Sequence, residues 1–222
     1  MKQKVFNLII LDESGSMSSI EKQAIDGVNE TVQTIRSAQK KHEEQEHFVT
    51  FVSFNSDAVK TVYDKVEVSK VREITDKDYC PSCSTPLYDA MGISLNALSK
   101  SVADDDVVLV TIITDGYENA SREYNGQAIK SLVESLKAKG WIFTYIGANQ
   151  DVEKFASTIS ITNTLSFSAD AEGTSAMFAR EGKARHRLFG RLAKNSGHGC
   201  RCRPKPRDLA DDYFAEDEQD DK

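Results

Sequence analysis

Long apolar runs and basic stripes are what this chain has least of, and each absence removes a class of function. No stretch of its 222 residues approaches the roughly 20 consecutive apolar residues of a membrane span. Lys and Arg number 28 against 35 Asp and Glu, a net charge of −7 that argues against a general nucleic-acid binder, which would carry a basic stripe. Lys2 and Lys4 precede an apolar stretch, but Asp12 interrupts it and no small-residue cleavage site follows, so no secretory signal is expected. The expected compartment is therefore the cytoplasm. There, the four cysteines are reduced thiols or metal ligands rather than a disulfide framework. The length allows one domain with a full core, followed by a tail.

What the chain does have is concentrated in Val5 to Glu21, V-F-N-L-I-I-L-D-E-S-G-S-M-S-S-I-E. An apolar strand ends in Asp12, and Ser14 and Ser16 follow around Gly15. Ser18 offers a helix N-cap, with Glu21 three residues on to complete a capping box. A carboxylate and two hydroxyls are thus delivered to a loop at the carboxyl end of a buried strand, where ligands sit in open α/β sheets. These are hard oxygen donors, and Gly15 lets the backbone fold tightly enough for them to converge. One carboxylate with two neutral hydroxyls suits a small divalent cation such as Mg²⁺, which keeps part of its shell open, and does not suit zinc.

The remaining periodicities alternate. Val5 to Leu11 reads as a strand covered on both faces. Ile20, Ala24, Val28, Val32, Ile35 and Ala38 recur at three and four within a helix from Ser19 to about Lys41. His47 to Phe54 and Ala58 to Val68 read as a hairpin across Asn55-Ser56-Asp57, the second strand being an antiparallel edge. Pro81 and Pro86 hold Thr75 to Pro86 as a loop. Leu87 to Val102 is a helix, Val107 to Thr114 the most apolar strand, and Gln127 to Lys139 a helix stopped by Gly140. A strand over Trp141 to Gly147, a short helix over Asp151 to Ile159, a strand over Leu165 to Ser168 and a closing helix over Glu172 to Ala193 complete the pattern. Alternating strands and helices predict a mainly parallel sheet with helices on both faces. Beyond Asn195 a basic block gives way to an acidic one, so 195–222 is expected as a solvated tail after a domain over 4–194.

The pentapeptide Asp12-Glu13-Ser14-Gly15-Ser16 resembles the D-x-S-x-S signature of von Willebrand factor A (vWA) domains and of the integrin-type metal-ion-dependent adhesion site (MIDAS). That family adds a threonine in a loop before a later helix and an aspartate closing a later strand. Thr85, in S-T-P-L-Y-D-A, and Asp115, in I-I-T-D-G-Y-E-N, stand in those places. The resemblance implies a Rossmann-like fold over about Lys4 to Ala193 and a bound Mg²⁺ (or Mn²⁺). In the family pattern Ser14, Ser16 and Thr85 would bind it directly or nearly so, and Asp12 and Asp115 often through water. Two carboxylates only partly neutralise a dication, so its open position should favour a Glu or Asp carboxylate from a partner protein. The rim of such a site would come from Glu13, Met17, Tyr117, Glu118 and Asn119. One departure stands out: the family often places a glycine pair before the threonine, and this chain has Cys83 and Ser84.

Other chemistries fit less well. A metal-dependent phosphohydrolase of the haloacid-dehalogenase type would use Asp12 as nucleophile, but its general acid, two residues on, is here Ser14. A serine hydrolase needs G-x-S-x-G, which Gly15-Ser16-Met17-Ser18-Ser19 is not, and G-x-x-x-x-G-K-[ST] does not occur. A non-enzymatic interaction module is the expectation, with a metal-free docking scaffold as a further reading. Cys80-Pro81-Ser82-Cys83 and Cys200-Arg201-Cys202 together would make a four-thiolate zinc site, and Cys80 with Cys83 alone a redox pair; unpaired loop thiols are the simpler reading.

Overall fold

Strand β1 (Gln3–Asp12) owes its central place to an almost unbroken apolar sequence, with every residue from Val5 to Asp12 buried. The computed structural model describes residues 2–148, 151–196, 206–210 and 212–215. β1 lies parallel between β2 (Gln45–Phe54) and β4 (Val107–Thr114). β3 (Val59–Glu67) returns antiparallel on β2, and β5 (Ile142–Gly147) and β6 (Asn163–Ser166) extend the sheet in parallel, giving the order β3-β2-β1-β4-β5-β6. The hairpin turn is set by Asn55, whose Oδ1 accepts from the Asp57 and Ala58 N–H groups.

Period-two alternation sorts the two faces. Val5, Ile9 and Leu11 pack with α1 (Glu21–Lys41) and α5 (Ala171–Ser196), while Phe6, Leu8 and Ile10 pack with α2 (Leu87–Ser99), α3 (Gly126–Ala138) and α4 (Val152–Thr158). This is the expected Rossmann-like α/β sheet with one antiparallel edge. Gly140 ends α3 with φ of +98°, the left-handed conformation glycine adopts freely. α1 and α5 cross at Gly27, where a Cβ would lie 2.0 Å from the Phe178 ring.

Two expectations are corrected. The Ser18–Glu21 capping box does not form: Gly15–Ile20 is a 3-10 helix, α1 starts only at Glu21, and the Ser18 hydroxyl donates back to the Gly15 carbonyl. Part of the expected solvated tail is core, since Ala210, Tyr213 and Phe214 are buried against the α1–α5 layer. Tyr213 Oη donates to Glu181 Oε1 at 3.1 Å. Glu181 in turn pairs at 2.6 Å with Arg185, which is fully buried and donates to Asn7 Oδ1 and Thr111 Oγ1 under the sheet. The aromatic pair in an acidic stretch thus closes a polar knot that charge patterning alone concealed.

Candidate metal site at the carboxyl edge of the sheet

Parallel register brings the ends of β1 and β4 together: Leu11 pairs with Ile113, so the residues just past them share one edge. Asp12 is fully buried there, its Oδ1 accepting from the Ser14 N–H at 2.8 Å and its Oδ2 from the Thr114 hydroxyl at 2.6 Å. Burial pushes its pKa up to about 6 against the lowering effect of the Thr114 and Ser14 hydrogen bonds. Burial raises Asp115 as well, opposed by Ser16. Burial thus disfavours the charged form of both carboxylates.

The hydroxyls gather against them. Ser16 Oγ donates to Asp115 Oδ1 at 2.6 Å and lies 3.2 Å from Ser14 Oγ. Thr85 reaches the same space from the loop before α2: a Cβ on Gly116 would stand 3.7 Å from both Ser16 Oγ and Thr85 Oγ1. Asn119 fixes Thr85 from both sides, its Oδ1 accepting the Thr85 N–H and its own N–H donating to the Thr85 carbonyl. All five sequence-chosen residues thus meet at one edge. Among the described residues no three of His, Cys, Asp and Glu form a metal-holding group; what gathers at this edge is two carboxylates and three hydroxyls.

The Thr85 loop is stapled to the Ser14 loop by backbone. Ser82 N–H donates to the Glu13 carbonyl, Gly15 N–H to the Cys83 carbonyl at 3.0 Å, and Cys80 N–H to Glu13 Oε1 at 2.6 Å. Cys83 stands where the family often has glycine, and its φ of +63° is the left-handed value that glycine would adopt without cost. Tyr79, which sequence reasoning did not select, is buried and donates its hydroxyl to the Asp12 carbonyl at 2.6 Å. Thr114 was likewise missed, although a threonine beside the strand-ending aspartate was its only signal.

The expected rim is corrected in three places. Met17 is core, 1% exposed under the 3-10 turn, because that turn points it inward. Glu13 is buried and holds the Cys80 segment, and Glu118 is occupied by the N–H groups of Tyr88, Ala120 and Ser121. Tyr117 and Asn119 remain exposed at the edge, Tyr117 at 54%. Cys80 and Cys83 are exposed free thiols, while Cys200 and Cys202, and with them the four-thiolate reading, lie outside the described residues.

No family model matches the sequence, and no curated protein matches it. Solved structures do match in fold. The VWA domain of SpRpn10 superposes with a TM-score of 0.56 at 9% identity, covering 82% of this chain and 95% of that one. The fold is vWA-like. The PilB minor pilin of Streptococcus sanguinis matches with a TM-score of 0.58 at 14% identity over 84% of this chain. This chain spans 62% of that pilin's length. The TRAP protein of Plasmodium vivax, in a manganese-loaded crystal structure, matches with a TM-score of 0.50 at 16% identity, covering 79% of this chain and 72% of the other. At such identities the likeness concerns the vWA-like fold alone. No described helix is long and apolar enough to cross a membrane.

Proposed function

We propose that this vWA-like domain is a non-enzymatic interaction module that holds Mg²⁺ or Mn²⁺ at Asp12, Ser14, Ser16, Thr85 and Asp115. The observation that carries the reading is the hydrogen-bonded run Asp115–Ser16–Ser14 beside Asp12 and the Thr85 hydroxyl. Its five hard oxygens, two of them from carboxylates kept in a desolvated pocket, match the chemistry of a small dication. The manganese in the TRAP structure belongs to that protein and is consistent with the reading.

When bound, the cation would supply an open position for the carboxylate of a partner's Glu or Asp. The chain's own residues do the rest. Asp12, held by Ser14 N–H and Thr114, fixes the loop, and Tyr79 and Asn119 hold the backbone on either side. A groove of about 670 Å³ opens beside Thr85, lined in part by Asp57, Ser84, Pro86, Ile93, Asn119 and Arg122, where a partner segment would lie. The free thiols accord with a reducing compartment such as the cytoplasm.

A phosphohydrolase is disfavoured because the position two residues past Asp12, where its general acid would stand, is Ser14. Calorimetric titration of Mg²⁺ into wild type and Asp12→Ala tests the proposal: heat in the first and none in the second supports it, and equal heats refute it. Retention of a Glu- or Asp-bearing partner that is lost with chelator would support carboxylate capture, whereas capture indifferent to chelator would favour a metal-free docking scaffold. Turnover of a generic phosphate ester that vanishes in Asp12→Asn would favour the enzyme.

A further inference from the structure

The Cys80–Cys83 pair has no part in the proposed cation site, yet three of the hydrogen bonds that tie the Thr85 loop to the Ser14 loop run through this segment. Cys80 gives its N–H to Glu13 Oε1, Ser82 its N–H to the Glu13 carbonyl, and Cys83 accepts the Gly15 N–H between Ser14 and Ser16. Both thiols are exposed at this contact. Cys83 Sγ lies 3.3 Å from Asp57 Oδ2, so its thiol proton has an acceptor in place. No backbone hydrogen bond closes a turn across Cys80–Cys83 in the described structure, and Cys83 is held at φ +63°.

We propose that Cys80 and Cys83 form a dithiol modification site, oxidised to an intramolecular disulfide by exchange with a small-molecule disulfide such as oxidised glutathione. The Cys80 thiolate attacks one sulfur of the oxidant, forming a mixed disulfide and expelling a first glutathione thiolate. The Cys83 thiol, hydrogen-bonded to Asp57 Oδ2, then attacks the Cys80 sulfur and expels the second glutathione, which takes up the Cys83 proton. Two cysteine thiols are oxidised, one disulfide is reduced, and the two protons end on the two glutathione molecules.

A disulfide requires the two Cα atoms to come within about 4.4–6.8 Å of each other. Closing the four-residue ring tightens 80–83 and draws the Cys83 carbonyl off the Gly15 N–H. The consequence for the cation site rests on the reading given under Proposed function; the thiol chemistry does not.

The test uses the full chain with Cys200→Ser and Cys202→Ser, so that only this pair reacts. Incubation with oxidised glutathione followed by intact mass is expected to show loss of two hydrogens and no retained glutathione, reversed by a dithiol reductant. In the same background Cys83→Ser should stop at one bound glutathione, and Asp57→Asn should accumulate that mixed disulfide before closing. A wild-type pair that retains glutathione, or does not react, overturns the proposal. Mg²⁺ titration of the oxidised and reduced forms then reads the coupling, with about tenfold weaker binding expected on oxidation, the scale of losing a group that orients ligands. Ring closure with unchanged affinity would overturn the coupling while leaving the thiol site standing. Absence of Mg²⁺ binding in both forms would instead sink the cation reading.

Discussion

Ser16 and Asp115, 99 residues apart in sequence, meet through a 2.6 Å hydrogen bond from hydroxyl to carboxylate. That contact joins the loop after β1 to the loop after β4 and brings the second carboxylate of the cluster to the two serines.

Ser16→Ala removes this link and one candidate ligand together. Because Ser16 is exposed, the expected cost in stability is below about 1 kcal/mol. Mg²⁺ affinity is expected to fall by about ten- to a hundredfold. Calorimetry beside urea unfolding separates the two, and unchanged affinity would remove Ser16 from the ligand set.

Cation binding should weaken in acid. Asp12 is raised from 3.8 to about 6 in the cation-free fold, so protons compete for it as pH falls through 6. Each unit below that should cost about tenfold in Mg²⁺ affinity from Asp12 alone. Global stability is a poor substitute readout. Asp12, favoured neutral in the fold, stabilises the cation-free protein as pH falls from above 6 towards 3.8. His47, lowered from 6.5 to about 3 by burial and by Arg185, destabilises it as pH drops below 6.5. Flat Mg²⁺ affinity between pH 7.5 and about 5 would contradict Asp12's role.

Gly27→Ala places a methyl 2.0 Å from the buried Phe178 ring. The alanine gains up to about 1 kcal/mol in helix preference, but forcing α1 and α5 apart costs about 1–3 kcal/mol. Net destabilisation in urea unfolding is expected, and Gly27→Ala combined with Phe178→Leu should recover part of it.

Glu181→Gln leaves Arg185 charged and fully buried, and should cost about 3–5 kcal/mol. The double variant Glu181→Met with Arg185→Leu should lose less than either single change, because no charge is then stranded. Equal losses for all three in urea unfolding would mean the knot acts through packing rather than through charge.

The sequence by itself determined most of the strands, although the last, expected over Leu165 to Ser168, lies two residues earlier at Asn163–Ser166. β4 spans Val107–Thr114 as its unbroken apolar run implied, and β1 extends the expected strand at both ends because the flanking polar residues still pair with β2. It also determined which oxygens stand at the ends of β1 and β4, since a strand end and a D-x-S-x-S loop are local properties. Tertiary structure decided what local rules could not. Met17 looked like a loop residue, but a 3-10 turn in place of the first helical turn sends it into the core. Tyr213 and Phe214 lie in an acidic stretch that composition marks as solvated, yet the polar knot of Arg185 and Glu181 gives the tyrosine hydroxyl a partner and the rings a buried seat. Glu13 and Glu118 read as rim charges until the fold supplied the N–H groups that occupy them. Periodicity reports which side of an element is apolar; which distant polar group meets which is fixed only when the sheet register and helix crossings bring them within hydrogen-bond reach.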